Sequence, residues 1–229
     1  MKYILFDIDG TLVDHHGAEE RAILSIFKRH FLEHLELDFA TFASTWRKIS
    51  ETFMEQYLKG LLGFEEQRTK RVKEVFSAFN RNLEHAQAQS ISVEYLQAYE
   101  SSWQAYDDVC PCLAACGQHT IGVLSNGQGD QQQKKLKKTG LLSSFQHFFF
   151  AGDLGVAKPN PDIFKRALLT LDCSPRDAVY VGDNLKSDIE PACSLGIFGV
   201  HIDRKALGTQ RQNHMATIPS LTDLTGTIS

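Results

Sequence analysis

Near the start of the chain stands the sequence YILFDIDGT, residues Tyr3 to Thr11. Its first half is apolar and rich in β-formers, as a strand buried on both faces would be. Its second half carries two carboxylates, Asp7 and Asp9, followed by a glycine and a hydroxyl. In a parallel sheet, ligands bind outside the carboxyl ends of the strands. This stretch therefore predicts both the first strand of the fold and one side of its site.

Four further runs have the same buried-strand character, and helical patterns separate the later ones. The predicted strands are Tyr3–Asp9, Thr120–Asn126, His147–Gly152, Ala178–Asp183 and Ile197–Asp203. One helical pattern, Gln128–Thr139, ends at Gly140, and another, Ile163–Leu171, follows Asn160-Pro161. Strands that alternate with helices predict an α/β fold with a Rossmann-like, doubly wound parallel sheet. The polar C-terminal stretch adds only a short edge strand near Ala216–Ile218.

The segment between the first and second strands is too long for a single crossover connection. From His15 to Trp103 it has helical periodicity and no convincing strand, with apolar stripes that start at Ala22, Phe42 and Val72. We predict an inserted, all-helical domain over residues 15–103. Residues 1–14 and 104–229 then form the sheet domain.

The composition is that of a folded protein of ordinary charge. The 229 residues include 24 Lys plus Arg and 28 Asp plus Glu, for a formal net charge of -4, and 42% are hydrophobic. The apolar share excludes a disordered chain. The charge argues against a protein that coats nucleic acid or an anionic membrane. We expect a monomer or small homo-oligomer whose partners include no nucleic-acid polymer and no membrane.

Neither the first residues nor the cysteines point to secretion. No apolar run approaches the ~18 residues of a membrane span, and the features of a secretory signal are not found at the start. The cysteines are odd in number and irregular in spacing, which does not predict a disulfide framework. They are Cys110, Cys112, Cys116, Cys173 and Cys193. We expect a reducing, cytoplasmic location, with the first three as buried structural thiols.

Polar side chains follow the other predicted strands as well. Ser125-Asn126-Gly127 ends the second strand, and Lys158 lies in the loop after the third. Gly182-Asp183-Asn184 ends the fourth, and Asp188 follows shortly after. Because the carboxyl ends of parallel strands meet at one edge of a sheet, we expect these groups to converge with the two carboxylates of the first strand.

The residue types at this edge fit phosphoryl transfer. A carboxylate such as Asp7 can attack phosphorus and form an aspartyl-phosphate, so that one difficult displacement becomes two easier ones. Asp9 can protonate the leaving oxygen and then activate water. Ser125 can hold phosphate oxygens, and Lys158 can offset the negative charge. Clustered carboxylates repel one another unless a hard cation lies among them, and Mg²⁺ suits such ligands.

Taken in order, these motifs resemble those of the haloacid dehalogenase superfamily of phosphotransferases, in its phosphatase type with a helical cap (subfamily I). The stretch from Asp7 to Thr11 resembles the first motif, and Ser125 the second. Lys158 with the following Pro159-Asn160-Pro161 resembles the third, and Val181 to Asp188 the fourth. The resemblance covers the whole sheet-forming region, and the helical insertion stands where the family has its cap.

The resemblance implies a role for each residue of the site. The implied catalytic residues are Asp7 as nucleophile, Asp9 as acid and base, and Lys158. The implied phosphate ligands are Gly10, Thr11, Ser125, Asn126 and Lys158. The implied Mg²⁺ ligands are Asp7, the backbone carbonyl of Asp9, and Asp183, with Asn184 and Asp188 in an outer metal shell.

Several residues keep a second interpretation. Asp188 fits a carboxylate that stabilises the start of a helix nearly as well as it fits an outer metal role. Asn126 fits a residue that shapes a turn as well as it fits a phosphate ligand. His15 and His16 are interpreted as solvated residues at the point where the chain enters the insertion, and the alternative is that they approach the substrate. A basic cluster in the insertion is interpreted as a solvated helix face with glutamate partners, and the alternative is that one of its arginines reaches an anionic substrate. The cluster consists of Arg68, Lys70, Arg71 and Lys73.

The predicted function is a Mg²⁺-dependent phosphatase that acts on a small phosphate monoester through an aspartyl-phosphate. An acid at Asp9 favours phosphate chemistry, since the family's dehalogenating members lack an acid at that place. In the family, a helical cap accompanies small substrates such as nucleotides, sugar phosphates or phosphoglycolate. The alternative is a phosphomutase of the same superfamily. A dehalogenase ranks lower because of the acid at Asp9, and a catalytically idle binding protein ranks lower because the nucleophile, the lysine and the metal acid are all present.

Overall fold

The structure is a computed structural model that describes residues 3–33 and 36–228. The chain divides into two compact units, Met1–Asp14 with Gln104–Ser229, and His15–Trp103. The domain boundaries predicted from the sequence also take in residues 1, 2, 34, 35 and 229, which lie outside the described residues. That the second unit acts as a cap stays a prediction.

The first unit is built on a seven-stranded sheet with the strand order β3-β2-β1-β4-β5-β7-β6. The strands are β1 (Tyr3–Phe6), β2 (Thr120–Ser125), β3 (His147–Phe150), β4 (Ala178–Gly182), β5 (Phe198–Ile202), β6 (Gln210–Gln212) and β7 (Met215–Ile218). Neighbouring strands run parallel, except that β6 is antiparallel to β7. The predicted α/β fold with a Rossmann-like, mostly parallel sheet is confirmed.

The described residues of the second unit form four α-helices. They are α1 (His15–His30), α2 (Phe39–Leu58), α3 (Phe64–Ala78) and α4 (His85–Ser101). The predicted stripes lie on the first three. No clear apolar stripe predicts α4, because its buried face mixes small, polar and tyrosine side chains: Ala88, Ile91, Ser92, Tyr95 and Tyr99.

Aromatic rings fill the interior of the helical unit. The ring centroid of Phe31 lies 4.8 Å from that of Phe76 and 4.9 Å from that of Phe42, and Trp46 lies 4.8 Å from Tyr95. Such pairs add about 0.5–1.5 kcal/mol each beyond the area that they bury. The unit therefore has an apolar core of its own.

The basic cluster on α3 is only partly a solvated face. Lys70 pairs with Glu66 at 2.8 Å, as predicted. The interpretation is wrong for Arg71, which is buried with its guanidinium 4.9 Å from the centroid of the Tyr95 ring. An arginine can pack its planar guanidinium on an aromatic face, so a charged residue in a helical pattern does not by itself mark the solvent side.

In the part of the first unit that the structure describes, six α-helices accompany the sheet. They are α5 (Val109–Ala115), α6 (Gly129–Lys138), α7 (Ala151–Leu154), α8 (Asp162–Thr170), α9 (Glu190–Ser194) and α10 (Leu224–Ile228). The predicted helices correspond to α6 and α8, within one residue at each end. The Asn160 side chain accepts a hydrogen bond from the Asp162 backbone N–H at 3.0 Å, which satisfies a donor at the start of α8. Among the described helices, none is both long and apolar enough to cross a membrane.

Three strand predictions needed correction. Strand β1 stops at Phe6 rather than Asp9, because the N–H groups of Leu12 and Val13 both donate to the Ile8 carbonyl and turn the chain. Strand β3 stops before Gly152, where α7 has already begun. The strand predicted at the edge, β7, pairs on both sides. Its outer neighbour β6 reads Gln-Arg-Gln, which has no apolar alternation to predict a strand.

The cysteines are free thiols. Cys112 and Cys116 are buried, as predicted, whereas Cys110 is exposed. A hydrogen bond with Cys116 and burial raise the pKa of the Cys112 thiol, which fits an unreactive structural residue.

Phe164 is central to the packing between α8 and the sheet. Its side chain is fully buried, and its ring meets that of Tyr180 on β4 edge to face, with the centroids 4.9 Å apart. We expect Phe164→Ala to lower the free energy of unfolding by about 3–5 kcal/mol, since it leaves a cavity. Leu169→Ala on the same helix, where the side chain is 79% exposed, should change it by at most about 0.5 kcal/mol. Urea denaturation measures both, and equal losses would contradict this packing.

Candidate active site

Three neighbouring strands bring their carboxyl ends to one edge of the sheet. Phe6 of β1 is in register with Val123 of β2 and with Val181 of β4. The Asp7 backbone N–H donates to the Val181 carbonyl at 2.8 Å, which continues the ladder by one residue. Asp7, Ser125 and Asp183 therefore follow or end adjacent strands, and the structure brings them together.

Lys158 lies at the centre of the site, in the loop after β3. Its ammonium donates to Asp7 Oδ1 and Asp188 Oδ1, both at 2.6 Å, and to the Tyr180 hydroxyl at 2.9 Å. The lysine is 4% exposed, and Asp7 and Asp188 are 5% and 1% exposed. One buried cation thus binds a carboxylate that directly follows β1 and another in the turn after β4.

The charges around Lys158 do not balance. Burial lowers the pKa of Lys158, but Asp188 and Asp7 outweigh that effect and raise it well above its ordinary value, so the side chain stays an ammonium. Burial raises the pKa of Asp7 well above its ordinary value; Lys158 lowers it in part, and Asp188 and Asp183 raise it further. Two acids, Asp7 and Asp188, share this one ammonium, so the three groups carry an excess negative charge when both acids are ionised.

A group of three carboxylates marks where a cation would relieve this charge. Asp7, Asp183 and Asp188 each offer an oxygen, and these oxygens lie within 4.8 Å of one another. Oxygen donors of this kind suit Mg²⁺. The donor set therefore fits the predicted metal. Asp188, which the resemblance assigns to an outer metal shell, lies as close to this group as Asp7 and Asp183 do. The assignment of each residue as a metal ligand stays a prediction.

The turn after β1 is built around Asp183. Gly10 has a φ of +86°, and a Cβ placed on it would lie 2.3 Å from Asp183 Oδ2. The Thr11 hydroxyl donates to Asp183 Oδ1 at 3.3 Å. The Arg204 side chain fixes the same turn by donating to the Thr11 carbonyl at 3.0 Å. Gly10 and Thr11 thus contact the carboxylate of Asp183, and their predicted phosphate contacts remain predictions.

Asp9 is held by two side chains of helix α6. Gln132 Nε2 donates to Asp9 Oδ2 at 2.8 Å and lies 3.0 Å from the hydroxyl oxygen of Ser125. The Lys135 ammonium donates to the other oxygen, Asp9 Oδ1. The predicted acid and base and the predicted phosphate-binding hydroxyl therefore share one hydrogen-bonded network.

Asn126 and Asn184 have structural contacts. The Asn126 side chain donates to the Lys158 carbonyl at 2.9 Å and accepts from the Lys158 N–H at 2.7 Å. These two bonds favour its interpretation as a residue that shapes the loop. Asn184 Oδ1 accepts from the N–H groups of Lys186 and Ser187, both at 3.0 Å, and so caps the π-helical turn that contains Asp188. Phosphate binding by Asn126 and a metal role for Asn184 stay predictions.

Three residues of the site were not predicted from the sequence: Gln132, Lys135 and Tyr180. Helix α6 reads GDQQQKKLKK, so a buried glutamine and lysine stand among exposed residues of the same types. Tyr180 lies in an apolar strand and resembles an ordinary core residue. Its hydroxyl nevertheless accepts from Lys158 and donates to the Leu124 carbonyl at 2.9 Å. For Gln132 and Lys135, the signal in the sequence is that they stand three residues apart, and so on one face, of the helix that follows the Ser125-Asn126-Gly127 turn. For Tyr180 the sequence gives no such signal.

Comparison with known proteins agrees with the fold and the motifs. A family model described as haloacid dehalogenase-like hydrolase matches residues 1–196. The glyceraldehyde 3-phosphate phosphatase of Methanopyrus kandleri is 27% identical over 206 residues, which cover 89% of this chain and 84% of the relative. The phosphatase relative supports the predicted enzyme class, a phosphoric monoester hydrolase.

Solved structures share the fold at lower identity. The HAD-hydrolase YfnB from Bacillus subtilis, in a magnesium-bound form, superposes with a TM-score of 0.82 at 19% identity, covering 98% of this chain and 97% of that one. The L-2-haloacid dehalogenase from Xanthobacter autotrophicus gives 0.76 at 19% identity, covering 100% and 98%. Such distant similarity shows the fold alone.

The close approach at Gly10 gives a prediction. Gly10→Ala places a methyl group against Asp183 in a left-handed backbone conformation, and we expect a loss of about 2–4 kcal/mol of unfolding free energy from the combined strain and displacement. Gly60→Ala is the matched control, because Gly60 has a φ of +71° and a Cβ placed there would meet nothing within 4 Å. It should lose only about 1 kcal/mol. Denaturant unfolding of both variants checks this, and equal losses would show that the contact with Asp183 is unimportant.

The charge imbalance gives a second prediction, for protein kept in a chelator. Burial raises the pKa of Asp7 above its ordinary 3.8. The folded chain therefore loses stability as the pH rises from about 3.8 through the raised pKa, where the buried carboxyl ionises. Asp7→Asn removes that loss. We expect the variant to be more stable than the wild type at pH 7, and the gap to shrink as the pH falls toward 4.

An exposed acid, Asp162, provides the control, because its pKa is shifted in the direction opposite to that of Asp7. A hydrogen bond from Lys165 lowers the pKa of Asp162, so its ionised form stabilises the fold at neutral pH and that contribution is lost as the pH falls through the lowered pKa. Asp162→Asn should therefore be slightly less stable than the wild type at pH 7. Urea unfolding at several pH values tests both variants. A wild type more stable than Asp7→Asn at pH 7 would contradict the imbalance.

Proposed function

The chain belongs to the haloacid dehalogenase-like hydrolase family, and we propose that it is a Mg²⁺-dependent phosphatase of small phosphate monoesters that works through an aspartyl-phosphate on Asp7. One observation carries the proposal. Asp7 is a buried carboxylate with Lys158 on one oxygen, and two further acids lie close enough to share a cation with it. A second acid close in sequence, Asp9, is held by its own donors. The phosphatase relative supports this reaction class over the others of the family.

The first half of the proposed reaction transfers the phosphoryl group to the protein. A carboxylate oxygen of Asp7 attacks phosphorus as the bond between phosphorus and the ester oxygen breaks. Asp9 gives a proton to the departing oxygen, so that an alcohol leaves rather than an alkoxide. Lys158, hydrogen-bonded to Asp7, offsets the negative charge that collects on the nucleophile and the phosphoryl oxygens. The products of this half are the alcohol and the aspartyl-phosphate.

The second half returns the protein to its starting state. Asp9, now a carboxylate, removes a proton from water as the water oxygen attacks phosphorus. The bond between phosphorus and Asp7 breaks, and inorganic phosphate leaves. Ser125 donates its hydroxyl hydrogen to a phosphoryl oxygen in both halves.

The acids of the site are proposed to bind a metal ion. Asp7 and Asp183 would hold Mg²⁺ together with the backbone carbonyl of Asp9, and Asp188 is near enough to contribute directly or through water. When bound, the ion neutralises part of the phosphoryl charge and keeps the nucleophile ionised in spite of its burial.

The proposed substrate is a small phosphorylated metabolite, handled in the cytoplasm. The helical unit, residues 15–103, is proposed to act as a cap that excludes water while the aspartyl-phosphate exists. The acid at Asp9 disfavours a dehalogenase, since a halide needs no proton when it leaves. A phosphomutase remains the second candidate, because it would use the same two aspartates.

The nucleophile is tested by phosphate release. We expect Asp7→Asn to lose at least about 10³-fold in kcat/KM on p-nitrophenyl phosphate and on a panel of phosphorylated metabolites, because the carboxamide cannot form the intermediate. Asp162→Asn, an exposed substitution of the same kind, should keep wild-type rates. Removal of divalent ions should abolish turnover and Mg²⁺ should restore it. Full activity of Asp7→Asn would overturn the assignment, and a sugar phosphate converted to its isomer would favour the mutase.

A further inference from the structure

The two oxygens of the Asp9 carboxylate are bound by different side chains of one helix. Lys135 donates to Oδ1, and Gln132 donates to Oδ2 at 2.8 Å. The two residues stand three apart on α6, so their side chains leave the helix on the same face. Two donors on two oxygens fix the position and the rotation of a carboxyl group that a single bond would leave free to turn.

The burial of these two side chains sets them apart from the rest of α6. Lys135 is 1% exposed and Gln132 is 2% exposed, whereas Gln133, Lys134, Lys137 and Lys138 on the same helix are exposed. A buried ammonium costs several kcal/mol unless it is paired. An apolar residue would fill the space at position 135 at lower cost. A lysine placed here is therefore explained by its contact with Asp9 rather than by packing.

Gln132 also reaches the hydroxyl of Ser125. Its Nε2 lies 3.0 Å from the Ser125 oxygen. An amide nitrogen can only donate, so the serine oxygen accepts this bond and keeps its own hydrogen for another acceptor. The chain makes room for this contact at Gly127, where a Cβ would lie 2.3 Å from Gln132 Nε2.

We propose that Lys135 and Gln132 are positioning residues that hold the Asp9 carboxyl and the Ser125 hydroxyl in their working orientations before substrate binds. The proposal rests on the proposed phosphatase function. Asp9, so held, presents its remaining lone-pair sites to the oxygen that gains or loses the proton. Ser125 presents its hydrogen to a phosphoryl oxygen. Groups that are oriented in advance need not be ordered during the reaction, and this lowers the barrier.

A substrate pair separates positioning from a merely structural role. An alkyl phosphate such as β-glycerol phosphate has a poor leaving group that needs the proton from Asp9, whereas the p-nitrophenolate of p-nitrophenyl phosphate leaves without one. The constant kcat/KM reports the steps up to transfer to Asp7, in which the leaving group departs. A misplaced Asp9 should therefore harm the alkyl ester selectively.

We expect Lys135→Met to lose about 10²-fold in kcat/KM on β-glycerol phosphate and less than about tenfold on p-nitrophenyl phosphate, within the range of general-acid contributions. Lys135→Arg, which keeps a donor and a positive charge, should recover part of the loss on the alkyl ester. Gln132→Leu should lower kcat/KM on both esters in addition to the selective loss on β-glycerol phosphate, because it also releases the Ser125 hydroxyl. Lys137→Met and Gln133→Leu, exposed on the same helix, are the controls.

The outcomes are distinguishable. Equal losses on both esters in Lys135→Met, with a folded protein by circular dichroism, would overturn the positioning role and leave the phosphatase function standing. Wild-type rates in Lys135→Met would do the same. If Lys135→Met fails to fold, Lys135→Arg and Lys135→Gln test the positioning role by the same comparison, the loss of kcat/KM on β-glycerol phosphate relative to the loss on p-nitrophenyl phosphate. A wild type that hydrolyses neither ester in the presence of Mg²⁺ would overturn the proposed function and the inference with it.

Discussion

The site depends on one buried ammonium. Lys158 is nearly inaccessible to water, and it joins the carboxylate after β1 to the carboxylate that follows β4, with the Tyr180 hydroxyl as a third partner. A buried charge of this kind is costly unless its geometry is well satisfied. The loop after β3 must therefore be held in place, and the paired hydrogen bonds of Asn126 to the Lys158 backbone do this. The position of this cation consequently depends on the order of the strands, which places the ends of β1 and β4 side by side.

Most of the fold could be predicted because the sheet is buried on both faces. Its strands read as short apolar runs, and apolar runs separated by helical patterns leave few alternatives to a parallel sheet. The convergence of Asp7, Ser125 and Asp183 followed from the same argument, since their strands proved to be neighbours. A strand such as β6, composed of Gln-Arg-Gln at the outer edge, is held by its hairpin with β7. Its own residues give no pattern that could predict it.

The parts of the site that the sequence did not predict are polar residues that become buried. Lys135 and Gln132 lie in a helix whose sequence is polar almost throughout, and periodicity cannot separate a buried lysine from an exposed one. Arg71 in the helical unit was misjudged for the same reason, as its aromatic neighbour Tyr95 belongs to another helix. Local pattern tells which face of a helix is apolar. It does not tell which charged side chain will find a partner across the fold.

The arrangement around Asp7 disfavours the ionised form of its carboxyl group. Its pKa is raised by burial and by neighbouring acids, although Lys158 opposes both. A chain selected for stability alone would replace such a cluster with apolar side chains of similar size. A hydrolase of phosphate esters instead benefits from carboxylates that are poorly solvated, because they bind a cation strongly and attack phosphorus without first shedding water. Asp9 is placed differently, since two donors on α6 bind its two oxygens and restrict the rotation of its carboxyl group. Asp7, whose ionised form is disfavoured by burial, is therefore held in place by contacts with Lys158 and with the Val181 carbonyl.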